Sequence, residues 1–296
     1  MSATQRRPLA TVALTSIRLK LLVRNRSAIF FAIIFPIVFE FIYGFLFARG
    51  NPQMVRFLMG PVVVLTILGS GFWGVGLQLV FFREKNILRR FRPAPLGASP
   101  LLLSGLVANW VVQVFVVALE FVVARAVFHI PWPGSVGKLF VLGTLGLLAF
   151  AGIGMVIASV ANTMQETQVI CNLAWFAFMF LSGATVPFAQ LPDAIQHVAL
   201  FLPSFYLVYG MQDILFGTAR LAAMTPELIA MVITTLTSYF LARKLFRWDQ
   251  QMTLSWREKA WALPALIPFA VLGLWANLFS NRIAEAVALY KAVWPR

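Results

Sequence analysis

Two glutamates, Glu40 and Glu120, stand inside long apolar runs of a 296-residue chain. An acidic side chain at the middle of a bilayer costs about 3 kcal/mol or more. Where one is kept, it faces a bundle interior, a partner or a water-filled path. Neither glutamate has a Lys or Arg three or four residues away to neutralise it within its own helix. Asn109, Gln113 and Glu120 fall within about 40° of one another on a helix of 3.6 residues per turn. Gln165, Gln168, Asn172, Trp175 and Met179 form a second stripe further along. Such stripes serve either as interhelical hydrogen-bond contacts or as a substrate surface or subunit interface. Both readings stand for Asn109, Gln113, Gln168 and Asn172. For Glu40 and Glu120 we favour function or a dedicated pairing.

Other chemistry has little footing. No G-x-x-x-x-G-K-[ST] loop cradles a phosphate. Gly69, Gly71, Gly74 and Gly76 have no lysine behind them and lie in an apolar run, where close helix packing is their expected role. Ser70 and Gly74 make a small-xxx-small pair there. There is no H-E-x-x-H and no Cys/His cluster; His129 and His197 read as isolated interfacial residues. Cys171 is the single cysteine, unable to form an internal disulfide, and reads as inert packing. No spacing favours a Ser/His/Asp set. The chain is expected to bind no metal or cofactor and to catalyse nothing alone.

The elements that hold these residues are set by composition. Apolar residues make up 60% of the chain and charged ones 11%, against roughly 45–50% and 25% in soluble domains. The solvent is a lipid bilayer. The net charge of +14, from 24 Lys/Arg and 10 Asp/Glu, fits the gathering of basic residues on cytoplasmic loops better than nucleic-acid binding. Crossing the hydrocarbon takes about 20 mostly apolar residues. Seven runs qualify: Ser27–Ala48, Phe57–Phe82, Leu101–Phe128, Leu139–Ala161, Thr167–Val186, Met224–Leu245 and Ala260–Phe279. Unbroken apolarity excludes barrel alternation, so the spans are helices. Ala194–Phe216 is long enough but carries Gln196, His197, Pro203, Gln212 and Asp213. Were it a crossing, the cluster Arg243, Lys244, Arg247, Arg257 and Lys259 would lie outside, against the positive-inside rule. Residues 187–216 are expected as two short helices broken near Pro203 that dip into the outer side.

This arrangement places the N-terminus inside, along with the loop bearing Arg83, Lys85, Arg89, Arg90 and Arg92. Arg6-Arg7-Pro8 is followed by a run that Arg18, Lys20, Arg24 and Arg26 interrupt, so an uncleaved cytoplasmic N-terminus is expected. Residues 10–21 place Ala10, Leu14, Ile17 and Leu21 on one stripe flanked by Arg18 and Lys20, the pattern of a helix lying on a membrane surface. Arg125, about 140° from Glu120 on its helix, is expected to snorkel to the headgroups. The C-terminus falls outside, and the seventh crossing has a surface-lying segment as its alternative.

Several motifs now line up in order. Arg24-Asn25-Arg26-Ser27 leads into a span with Phe35-Pro36. Then comes Arg83-Glu84-Lys85-Asn86-Ile87-Leu88-Arg89-Arg90-Phe91-Arg92-Pro93-Ala94-Pro95. Ala158-Ser159-Val160-Ala161-Asn162-Thr163 closes the fourth span, and Leu181-Ser182-Gly183-Ala184-Thr185-Val186-Pro187 the fifth. Leu191-Pro192 and Leu202-Pro203-Ser204-Phe205-Tyr206 follow. From about residue 10 to 247 the chain resembles the membrane subunit, or permease, of ABC-2 type ATP-binding-cassette transporters, in the style of daunorubicin-resistance exporters. The basic loop looks like that family's R-E-x-x-G-x-L-x-x-L-x-x-x-P, with Asn86 replacing its glycine, so that turn is expected to differ. Gln212-Asp213 stand near a position where many relatives carry arginine.

The resemblance implies an all-α polytopic membrane protein, a six-span bundle with a seventh C-terminal span added. Residues 1–26 would be a cytoplasmic interface helix and 27–247 the transmembrane domain, with its outer-side helical pair at 187–216. Residues 248–296 would be an extension. It also implies a bacterial inner-membrane export subunit paired with a second permease copy, identical or not, and driven by a cytoplasmic ATPase that holds ATP and Mg. Arg18, Lys20, Arg83, Glu84, Arg89, Arg90 and Arg92 are the expected coupling residues, Glu84 pairing either with Arg89 or with the ATPase. The rival reading is a proton-driven secondary transporter that uses Glu40 and Glu120.

Overall fold

The computed structural model describes residues 3–91, 98–216, 224–248 and 266–294, with single positions at 255, 257, 260 and 264. Among the described residues every regular element is helical, as expected for an all-α polytopic membrane protein. α1 (Ala3–Arg24) leads into α2 (Arg26–Phe41), which a π-helical stretch carries on to Phe47. α3 (Pro52–Gly69) starts on Asn51, whose side chain accepts from Gln53 N–H at 2.9 Å, with Pro52 in the first turn. A second π-helical stretch, Ser70–Leu77, joins α3 to α4 (Gln78–Glu84) as one long rod. Almost every residue of α3 from Phe57 onward is buried, so this rod is the centre of the bundle.

Around it stand α6 (Ala98–Phe128), α7 (Val136–Val160), α8 (Met164–Leu181) and α10 (Pro203–Phe216), with α11 (Thr225–Lys244) beyond α7. Among the described residues four helices have the length and apolarity of a crossing, Pro52–Glu84, Ser99–Phe128, Val136–Val160 and Thr225–Lys244, and a fifth is added if the bent pair Asp193–Ala199 and Pro203–Phe216 counts as one span. Glycine sets the closest approach. A Cβ on Gly71 would stand 2.6 Å from the Phe150 carbonyl carbon, and one on Gly76 would stand 2.8 Å from the Gly154 carbonyl oxygen. The α3 rod therefore touches α7 backbone to backbone, which is how small residues replace a hydrophobic driving force inside a membrane. Ser70 and Gly74 face α6 instead, against Asn109.

α5 (Ile87–Phe91) follows a tight turn at Lys85-Asn86. Asn86 takes φ +54°, the left-handed conformation that glycine supplies and that asparagine tolerates best among the other residues. After α8, Gly183 (φ +84°) reverses the chain. α9 (Asp193–Ala199) and α10 then meet at an angle of 95° just before Pro203. These are the two short helices expected between 187 and 216; α10 is buried along nearly its whole length.

The described part of the expected seventh span is α12 (Ile267–Phe279). Its 13 residues reach about 20 Å at 1.5 Å per residue, short of a ~30 Å hydrocarbon core. It packs on α9 and α11, with Asn277 Oδ1 2.6 Å from His197 Nδ1. α13 (Arg282–Val293) lies against the start of α3 and the turn Phe188–Gln190. The extension thus covers the end of the bundle that holds the helical pair. The opposite end carries α4, α5 and the α7–α8 corner, and is called the loop end below.

Candidate functional site

The central rod carries a polar ladder that runs from α3 into the π-helical stretch: Thr66, Ser70 and Trp73. Thr66 Oγ1 stands 2.5 Å from Glu120 Oε1 on α6, and Ser70 Oγ stands 2.9 Å from Asn109 Oδ1 on the same helix. Trp73 Nε1 donates to Asn172 Oδ1 on α8 at 3.2 Å. The central rod therefore addresses both neighbours through one face. Glu40, on α2, is 1% exposed and Glu120 is fully buried, and the two are close enough for their charges to interact. Among the described residues neither oxygen of Glu40 has a hydrogen-bond partner, nor has Glu120 Oε2. Three carboxylate oxygens inside the bundle thus lack a hydrogen-bond partner among the described residues, and a buried polar group left so is costly.

Asn109, Glu120 and Asn172 come together on this ladder. Gln113 is buried one turn from Asn109 but lines an apolar hollow instead. Gln168 does not join: it is exposed, as is Gln165. The buried face of α8 runs through Thr167, Cys171, Trp175 and Met179, rotated from the expected stripe by one residue. Thr66 and Trp73 escaped the sequence reading. Their signal was present as polar and aromatic positions at i, i+4 and i+7 across Ser70 in an otherwise apolar run.

A second polar constellation ties the loop end together. α7 ends at Val160 and α8 starts on Thr163, whose hydroxyl accepts from Glu166 N–H at 3.1 Å. Glu166 in turn accepts from Asn162 N–H at 2.8 Å, closing a variant of the reciprocal helix cap. Arg83 Nη1 donates to Ala158 O at 2.9 Å and its Nη2 to Ala161 O at 2.6 Å. Arg247, just past α11, donates to Ser159 O (3.0 Å), Ala161 O (2.7 Å) and Asn162 Oδ1 (3.0 Å). Glu84 accepts from Met164 N–H at 2.6 Å. Cations thus sit on the carbonyl end of α7 and carboxylates on the amide end of α8, the sense that both helix dipoles favour.

Two of the residues expected at the coupling surface are engaged within the bundle. Arg83 is 2% exposed and spends its guanidinium on α7. Glu84 caps α8 through Met164 N–H. Buried carbonyls at a helix end need donors, and long cations from α4 and from the segment after α11 supply them. Arg18 is also turned inward: it reaches Gln78 Oε1 (3.3 Å) and Leu101 O (3.2 Å) and lies 5.2 Å over the Phe82 ring. α1 therefore lies along the start of α6 with Arg18 on the protein side, while Ile17 and Leu21 stand exposed. Lys20, Lys85 and Arg89 are exposed at the loop end. The side chain of Arg90 and the whole of Arg92 lie outside the described residues.

Comparison with known proteins matches residues 10–216 to the family described as ABC-2 type transporter. The chain is 24% identical over 155 residues to the probable multidrug ABC transporter permease YbhS of Escherichia coli K12, over 51% of this chain and 40% of that one. It is 24% identical to the inner membrane transport permease YhhJ of the same organism, over 62% of this chain and 50% of that one. With the linearmycin resistance permease protein LnrN of Bacillus subtilis 168 the identity is 28%, over 53% of this chain and 40% of that one. The chain thus spans half or less of the length of these relatives. The matched stretch runs from α1 through the ladder and the α7–α8 corner to the end of α10, more than half of the chain. The chain belongs to the ABC-2 type transporter family.

Proposed function

We propose that this chain is the membrane-spanning permease subunit of an exporter, moving a solute outward with energy supplied by a separate ATPase. That partner would hold ATP and Mg, and a second permease copy would complete the assembly. The N-terminus and the loop end would face the cytoplasm of a bacterial cell, with the helical pair and the C-terminal extension outside. The observation that carries this reading is the corner where Arg83, Glu84, Arg247 and Glu166 tie α4, α7, α8 and the end of α11 into one unit. Force applied to the exposed Arg89 of α5 and to Lys85 in the turn before it enters four helices at once. Transport then needs two bundle arrangements that the ATPase contacts with different affinity.

The carboxylate pair supports a second reading, a proton-driven transporter, because Glu40 and Glu120 interact inside the bundle with no cation in the ladder beside them. Inverted membrane vesicles separate the two. Solute accumulation that requires ATP and a co-purifying nucleotide-binding protein, and that survives a proton uncoupler, is expected. Accumulation by the chain alone in vesicles, collapsed by the uncoupler, would remove the ATPase from the account.

A further inference from the structure

Near the helical-pair end of α6, two hollows share a wall. The first, about 350 Å³, lies between α3, α6, α7 and α10, within the ~300–1,000 Å³ of ordinary ligand pockets. Its lining is apolar but for Gln113 and Thr144, and the Thr144 hydroxyl is taken by Trp110 Nε1 at 3.1 Å. The second hollow, about 520 Å³, is lined by Val122, Arg125, Ala126, His129 and Trp132, so Val122 and Trp132 belong to both. Arg125 is held at this rim, its Nη1 donating to Ile130 O at 3.3 Å and its guanidinium lying 5.3 Å over the Trp132 ring. His129 is exposed beside it, placed by a left-handed φ of +56°. From Val122 to Gln113 the chamber follows α6 for about 14 Å at 1.5 Å per residue.

Basic groups at the helix end, then an apolar chamber running toward mid-membrane, repeat the order of an amphiphile standing in a bilayer. Val122, Trp132 and Phe140, which line the chamber, are all exposed. Val111, Phe115 and Val141 around it are exposed and apolar as well, the surface expected against hydrocarbon. We propose that the two hollows together bind one bilayer phospholipid with an anionic headgroup, its phosphate on Arg125 and His129 and one acyl chain in the chamber. A cation at the membrane–water interface attracts anionic lipid, and burial of each methylene adds to that.

The test uses the full-length protein in nanodiscs of phosphatidylcholine doped with phosphatidylglycerol, followed by native mass spectrometry of the lipids retained after detergent extraction. The wild type is expected to keep phosphatidylglycerol over phosphatidylcholine by fivefold or more, relative to their supply. Joint Arg125→Gln and His129→Gln substitution is expected to cut that preference at least threefold with the thermal midpoint unchanged. Val114→Trp, which fills the chamber, is expected to lower retention of both lipids; Val117→Phe repeats this arm if the first variant does not fold. Equal retention of the two lipids by the wild type overturns the proposal, and so does an unchanged preference in the rim variant. Retention of soluble decyl phosphate without phosphatidylglycerol overturns it too, since the occupant is then a free amphiphile.

Discussion

Arg83 and Arg247 donate to one carbonyl oxygen, that of Ala161, at 2.6 and 2.7 Å. The two arginines are far apart in sequence, one in the last turn of α4 and one after α11, yet both end on the last turn of α7. A hydrogen bond to a charged donor contributes about 1.5–3 kcal/mol, and a buried acceptor left alone costs more than a mean bond. Arg83→Met is therefore expected to lower unfolding stability by about 2–4 kcal/mol, as is Arg247→Met. Because they share an acceptor, the double variant should lose clearly less than the sum of the two. Additive losses in thermal unfolding would mean that the corner does not act as a unit.

The contact between Gly71 and Gly154 sets a second expectation. A Cβ on Gly154 would overlap the Gly71 carbonyl oxygen, which is backbone and cannot step aside. Gly154→Ala should cost on the order of 3 kcal/mol, the upper range for overpacking. Gly143→Ala is the control: its Cβ would meet only the tip of Met211, at 3.3 Å. It should be nearly neutral, because the helix gains by losing a glycine. Equal effects of the two substitutions on the thermal midpoint would contradict the backbone contact.

What sequence revealed and what it hid follow from locality. The break at Pro203 and the Thr163–Glu166 cap depend on neighbours within one turn, and their residue types announce them. The left-handed turn at Asn86 was equally local, but there a glycine rule hid a residue that serves nearly as well. Arg83 was misread because its partners are the carbonyls of Ala158 and Ala161, about eighty positions on. A loop arginine aimed at a helix end has the same spacing pattern as one aimed at a partner protein. The α8 face was misjudged by one residue because Trp175 and Met179 belong to both possible stripes. Only packing against the central rod buries Thr167 and Cys171, keeps Asn172 at the edge of that face and leaves Gln168 exposed. The covering role of α13 had no signal at all, since Arg282 finds Glu227 only in three dimensions.

At the helical-pair end Arg282 lies 3.3 Å from Glu227 and 2.9 Å from Glu285, with Tyr209 under its guanidinium at 5.3 Å. Burial lowers the pKa of Arg282, but Glu227, Glu285 and Tyr209 outweigh it and leave the value above the ordinary one. The cation is therefore permanent. Removing it leaves Glu227, 1% exposed, without its counter-charge. Arg282→Met should lower stability by about 3–5 kcal/mol, the range for breaking a buried pair. Arg282→Met combined with Glu227→Met should recover most of that. Failure of the double change to recover stability would show that the pair is not the source.

The proposed orientation is open to direct chemical reading. Cys171 is buried in the core, so the wild type offers a quiet background to a membrane-impermeant maleimide. Lys291→Cys on α13 should label in intact cells, while Lys85→Cys should label only after the membrane is opened. Both positions are exposed and occupy opposite ends of the bundle. Labelling of both from the same side would break the account of the extension as an outer cover.

The ladder gives the sharpest separation of structure from transport. Thr66 is the one hydrogen-bond partner of Glu120 among the described residues. Thr66→Val should therefore cost about 1–3 kcal/mol, the penalty for a buried acceptor stranded without its donor. Glu120→Gln keeps the shape and a hydrogen-bonding group, so its stability should stay within about 1 kcal/mol of wild type. Glu120→Leu should hold or raise stability, since an apolar residue of similar volume often replaces a buried polar one at no loss. If the carboxylate serves the solute path or the dimer seam, both Glu120 variants should lose transport by tenfold or more, or weaken the dimer, despite that stability. A residue kept for packing behaves the other way: stability moves and transport follows it. Transport and dimer stability equal to wild type in Glu120→Gln would reduce the ladder to a helix–helix contact. Loss of transport in a protein as stable as wild type would instead place Glu120, with Glu40 beside it, among the residues retained at a cost to the fold because the cycle needs their charge.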